Sequence, residues 1–151
     1  MKIEKQDGIE GQIGHWVIEA FEGDTDKKIQ HIEGYNRIVR VGKQLVLDLL
    51  SGDVTTPLTG IATGTNNAPS ADGDTAITTA QFKTFEIPPS RDDLTTTYVV
   101  NYATNEGNIN IQELGMLTSD GGTLFNRIAP IGPFNKTDAV SIRITVTITQ
   151  Q

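Results

Sequence analysis

Val140-Ser141-Ile142-Arg143-Ile144-Thr145-Val146-Thr147-Ile148-Thr149 is the stretch that decides the fold class of this chain. Val140, Ile142, Ile144, Val146 and Ile148 point one way, and Ser141, Arg143, Thr145, Thr147 and Thr149 the other. Successive side chains on a strand alternate faces, so this is a β-strand with one buried and one wetted side. Its position close to Gln151 predicts a C-terminus tied into a sheet.

Upstream of it the same grammar repeats. Pro130, Gly132 and Pro133 form a stiff connector, and Asp120-Gly121-Gly122 is a hairpin turn into residues 123–128. Across residues 108–118 the apolar register slips from Ile109 and Ile111 to Leu114 and Met116, which predicts a bulge near Gln112-Glu113. Residues 95–103 are β-branched and aromatic, hence strand. Residues 77–87, with Phe82 and Phe85, form another strand, which Pro88-Pro89 stops. A short strand over 58–63 is followed by a long polar loop to residue 76. Nearer the N-terminus, residues 15–21 and 28–41 read as a hairpin around the turn Gly23-Asp24-Thr25-Asp26, with Gly34 a bulge or kink. Residues 42–50 are the one helix. Leu45, Val46, Leu49 and Leu50 form its apolar stripe, and Ser51-Gly52 ends it. The sum is a mainly β chain: an antiparallel β-sandwich or barrel of about eight strands with one short helix. Residues 1–12 are expected to be an N-terminal arm anchored only by Ile3 and Ile9, and 13–151 a single β-rich domain. The expected core is Trp16, Ile18, Leu45, Leu49, Val99, Leu114, Leu124, Ile142, Ile144 and Val146.

Composition narrows the function. With 151 residues the chain is long enough to bury a core without staples, and with no cysteine it has neither disulfides nor thiolate metal sites, as suits a reducing cytoplasm. The net charge of −7 repels phosphate backbones, so nucleic acid is not the expected partner. No apolar run reaches membrane-spanning length; the densest, Leu45 to Leu50, is broken by Asp48.

No residue constellation points to catalysis. His15 and His31 flank one hairpin and would supply two ligands of a zinc site, which needs about three from the protein. No serine sits in a nucleophile elbow. Asp72-Gly73-Asp74 resembles half a calcium loop, but Lys83 stands where the twelfth-position glutamate belongs. Asp92-Asp93 and Glu113 would be an acid pair only if a fold held them across a cleft. Tyr98 and Tyr102 share one face of a strand; packing at the edge of the core is their default reading, and exposed they would stack on sugars or anchor an interface. No enzyme activity, cofactor or metal is therefore expected.

Four segments in order resemble small tailed-bacteriophage virion proteins: Gly34-Tyr35-Asn36-Arg37-Ile38-Val39-Arg40-Val41-Gly42 running into the helix; Ile61-Ala62-Thr63-Gly64-Thr65 followed by Pro69 and Asp74-Thr75; Ile111-Gln112-Glu113-Leu114-Gly115-Met116-Leu117; and Gly121-Gly122-Thr123-Leu124-Phe125-Asn126-Arg127, then Pro130-Ile131, Lys136-Thr137 and the last strand. The resemblance spans residues 34–148. It implies a β-rich head or tail accessory protein, often trimeric, similar to capsid decoration (cement) proteins and to fibre or baseplate modules. The expected role is a homotrimeric decoration protein on the capsid exterior, made in the host cytoplasm and bound to the major capsid protein. The alternative is a tail fibre or baseplate module recognising host surface glycan. The expected contacts are Ile3 and Ile9 of the arm, Asn66, Asn67, Pro69, Asp72 and Asp74 of the polar loop, and Tyr98 and Tyr102.

Overall fold

The computed structural model describes residues 11–132 and 134–151. In chain order the elements are β1 (Gln12–Glu22), β2 (Lys28–Tyr35), β3 (Arg37–Ile38), α1 (Arg40–Ser51), β4 (Gly60–Gly64), β5 (Gln81–Thr84), β6 (Ser90–Asp92), β7 (Thr95–Tyr102), β8 (Asn110–Ile111), β9 (Glu113–Leu117), β10 (Leu124–Ile128), β11 (Phe134–Asn135) and β12 (Val140–Gln150). Two antiparallel five-stranded sheets form a sandwich. One has the order β2-β1-β12-β7-β6 and is here called the front sheet. The other, the back sheet, has the order β3-β10-β9-β4-β5. The small pair β11-β8 adds Ile111 and Phe134 to the core between them.

The alternating stretch is the middle strand of the front sheet. β12 pairs with β1 from Gln12↔Gln150 to Glu22↔Val140, and with β7 from Ile142↔Tyr102 to Thr149↔Thr95. Its residues Ile142, Ile144 and Val146 are buried with Trp16, Ile18, Ala20, Val100 and Tyr102 against Ile61, Leu114, Met116, Phe125 and Ile128 of the back sheet. Each such aliphatic side chain withdrawn from water contributes about 1.5–3 kcal/mol, which the alternating pattern concentrates on one face.

Two expected core residues lie elsewhere. Val99 points outward, and Val100 takes the buried position, so β7 presents the face opposite to the one expected. Leu49 is 38% exposed and Leu50 79% exposed. The helix begins at Arg40, two residues before the expected start, and packs through Gly42 and Leu45 near its beginning. Its second half overhangs the sheet, so the stripe's last two leucines stay in water. Gly52, at φ 82°, closes it in the left-handed conformation that glycine accepts.

The slip at Gln112 is real, and it separates two strands. β8 pairs with β11, β9 pairs with β4 and β10, and Gln112 between them hydrogen-bonds through its backbone to Gly64 and Ile131. Gly34 stays in register opposite Trp16, where a Cβ would press on the indole at 3.1 Å; the irregularity of that hairpin falls at Ala20/Phe21.

Candidate functional site

The outward side of the back sheet is carpeted with small residues: Gly60, Ala62 and Gly64 on β4, and Gly115 on β9. A Cβ on Gly64 would strike Ile77 and the carbonyl of Thr78, each at 2.5 Å. This floor lets the segment 65–80 lie flat, with Ile77 buried beside Val39, Ala62, Leu117 and Leu124 in a second small core. Residues 64–76, read as an extensible loop, are therefore packed onto the body of the protein.

One buried ion network holds that segment. Arg127 on β10 is 2% exposed and Glu113 on β9 is fully buried. Arg127 Nε donates to Glu113 Oε1 at 2.8 Å, and one terminal nitrogen donates to Asp74 Oδ2 at 2.8 Å. The other donates to the carbonyls of Asn66 at 3.1 Å and Ala68 at 3.0 Å. The remaining oxygen of Glu113 accepts from the backbone N–H groups of Asn66 at 2.8 Å and Thr78 at 3.0 Å. The pair is thus paired and fully hydrogen-bonded, the condition under which buried charge is tolerated. Burial works against the Arg127 cation, but its bonds to Glu113 and Asp74 win and hold its pKa above the usual value. Burial likewise raises Asp74, but the Ala71 N–H and the Arg127 guanidinium outweigh it and hold the carboxyl below the ordinary aspartate value. Glu113 joins Arg127 as the centre that sequence reasoning missed: an isolated Glu between apolar strand residues signals only a polar face, and its covering loop arrives from 35 to 47 residues away.

The expected contact residues separate accordingly. Asp74 is bound to Arg127, and Asp72 pairs with Lys43 at 3.1 Å while its carbonyl accepts from the Arg40 N–H. Asn66, Asn67 and Pro69 are exposed on the pinned segment. Ile3 and Ile9, and residues 1–10 of the expected arm, lie outside the described residues; Gln12 belongs to β1. Tyr102 is 2% exposed, and its hydroxyl donates to the carbonyls of Gln81 at 2.6 Å and Ile61 at 3.2 Å. Burial pushes its phenol pKa well up. Such a side chain cannot stack on a sugar. Tyr98 packs on the core beside Phe85, with ring centroids 5.1 Å apart. The two tyrosines share a face, and it is the inward one, because β7 is turned over relative to the expected core assignment.

Among the described residues, the outward face of the front sheet is half-exposed. Rows across it are set by the strand register: Ile13, Thr149 and Thr95; His15, Thr147 and Thr97; Val17, Thr145 and Val99; Glu19, Arg143 and Asn101. The Thr95 and Thr149 hydroxyls hydrogen-bond at 2.9 Å. From residues 145 to 149 on β12 and 95 to 99 on β7 no outward side chain carries charge. Asp92 of β6 stands opposite Thr95 at one margin; at the other, Glu33 of β2 stands opposite Val17, Glu19 meets Lys28 at 2.6 Å and Arg143 lies over the Phe21 ring. Bonding to Lys28 holds the Glu19 carboxyl below the ordinary glutamate value.

The two histidines meet on that margin. His31 Nε2 lies 2.6 Å and His15 Nε2 3.3 Å from the two oxygens of Glu33 on the open hairpin surface. Among the described residues no cluster of three or more His, Asp or Glu side chains is arranged to hold a metal ion. Asp92-Asp93 ends β6 on the front sheet while Glu113 is sealed within the back sheet, so they do not face each other across a cleft. Among the described residues no helix is long and apolar enough to cross a membrane. No protein family, no curated protein and no solved structure matches this chain.

Proposed function

We propose that this chain is a structural adhesion protein: a homotrimeric decoration (cement) protein bound to the major capsid protein on the exterior of a tailed-phage head. The observation that carries the reading is the uncharged threonine–valine face of β12 and β7, set on a rigid sandwich. Flat sheet faces bearing short, stiff side chains lose little conformational freedom on docking, so their contact area is used efficiently. Keeping the charges to the two margins of the sheet holds the desolvation cost of the central patch low. The resemblance of residues 34–148 to phage virion proteins supports the location, and the acidic surface suits an exterior facing water. Three copies related by cyclic symmetry would let individually weak contacts act together.

Contact by the polar loop is revised in this reading. Asn66, Asn67 and Pro69 form a fixed rim on the far sheet, and the front face makes the main contact. Electron microscopy of virions with a copy count tests the assignment. The expected result is density repeated over the whole head shell; a few copies confined to the tail would replace it with the fibre or baseplate reading.

A further inference from the structure

The uncharged part of the front face consists of the rows that run from Ile13, His15 and Val17 across β12 to β7. His15 is the one side chain in these rows that can gain a charge near neutral pH. It is half-buried, between Tyr35 of β2 and Thr147 of β12. Its ring meets the Tyr35 ring edge-on, with centroids 5.3 Å apart, so its place on the face is fixed. Histidine is the side chain whose charge ordinarily changes between about pH 5 and 8.

The surroundings of His15 make that change consequential. Glu33, diagonally across the β1–β2 pair, has one carboxylate oxygen 3.3 Å from His15 Nε2 and the other 2.6 Å from His31 Nε2. Its bonds to His31 and His15 hold the carboxyl below the ordinary glutamate value, so it is ionised while the rings titrate. Each neutral ring donates one N–H to it, and a second proton on the other ring nitrogen makes the ring a cation. A single carboxylate cannot neutralise two such cations, so an excess positive charge appears beside the patch. The other charged side chains on this side, among the described residues, are Glu19, Lys28 and Arg143 at the same margin and Asp92 at the opposite one. Carboxylates, lysine, arginine and phenols such as Tyr35 ordinarily keep their state across the imidazole range. The two rings are therefore the groups that switch.

We propose that adhesion through the front face is released by acid: protonation of His15 places a positive charge in the otherwise uncharged docking patch and weakens its hold on the capsid. This rests on the front face being the docking surface. A neutral ring is docked at little cost, whereas a cation without a carboxylate of its own must give up its water. Binding is full at mildly alkaline pH and falls as the imidazoles gain protons.

Binding to heads assembled without this protein is measured at about pH 8 and about pH 5.5, on either side of the ordinary imidazole value. Each variant is compared with itself at the two pH values, so the cost of a substitution cancels. Wild type should bind about ten-fold more weakly at the lower pH. His31→Gln, which leaves Glu33 to His15 alone, should show a smaller fall, and His15→Gln/His31→Gln none. Wild-type affinity that is unchanged or tighter in acid would overturn the proposal. So would a double variant that loses as much as wild type, because the sensitivity would then lie in the head or in the stability of the fold. Wild type that fails to decorate heads even at about pH 8 would sink the capsid reading itself, and this inference with it.

Discussion

Arg127 and Glu113 show how a single residue pair decides where a long segment lies. Removing the cation alone leaves a fully buried carboxylate beside two backbone donors, Asn66 and Thr78. Arg127→Met should destabilise the protein by about 3–5 kcal/mol. Pairing it with Glu113→Gln should restore part of that loss, since the amide oxygen still accepts those N–H groups. Denaturant unfolding of the two variants measures the difference. The pair also links stability to acid. Asp74 has a folded pKa below its ordinary 3.8, so in the window beneath that value the unfolded chain binds more protons than the folded one. Its contribution is present above 3.8 and is lost as pH falls through the folded value. Asp74→Asn should therefore be less stable than wild type at neutral pH and should approach it below that window, as urea midpoints across pH would record.

At the scale of elements, period-two alternation was the legible part. Residues 140–149 and 15–21 form strands near their expected positions because one-sided burial leaves a period-two pattern, and residues 95–102 do so through their β-branched and aromatic content. The face of β7 was not legible: Thr95, Thr97, Val99 and Asn101 alternate with Thr96, Tyr98, Val100 and Tyr102, so each face mixes threonine with valine and both look semi-apolar. The packing of Val100 and Tyr98 and the phenol bonds of Tyr102 to the carbonyls of Gln81 and Ile61 show which side is in. The start of the helix escaped for a similar reason, whereas its end at Ser51-Gly52 was legible. Val39 caps α1 without a side-chain hydrogen bond, so no capping residue announces its start. The coverage of the back sheet did leave a trace, in the small residues Gly60, Ala62, Gly64 and Gly115, which read as close approach once a covering segment is known. Gly42 is the corresponding position on α1, where a Cβ would run into the Phe125 carbonyl. Gly42→Val should lift the helix from β10 and lower stability by about 1–3 kcal/mol, by analogy with overpacked cores. Calorimetry would show the fall in Tm, and an unchanged Tm would refute the close packing of α1.

For the whole molecule, the sandwich divides its two outer sides by task. Among the described residues, residues 65–80 cover the outward side of the back sheet, α1 adds Leu45 to the core between the sheets, and the outward face of the front sheet from Ile13 to Val99 is half-exposed. A sedimentation mass near three times 16.4 kDa is expected if the proposed trimer forms. The adhesive claim is tested most directly by binding to heads assembled without this protein, using wild type and Thr97→Glu/Thr147→Glu. These two residues are cross-strand neighbours at the centre of the uncharged patch, and neither is part of the buried core. Adjacent carboxylates there must be desolvated on docking, so the account predicts an unchanged fold and binding weaker by about a hundred-fold. A folded double variant that decorates heads with wild-type affinity and copy number would contradict it.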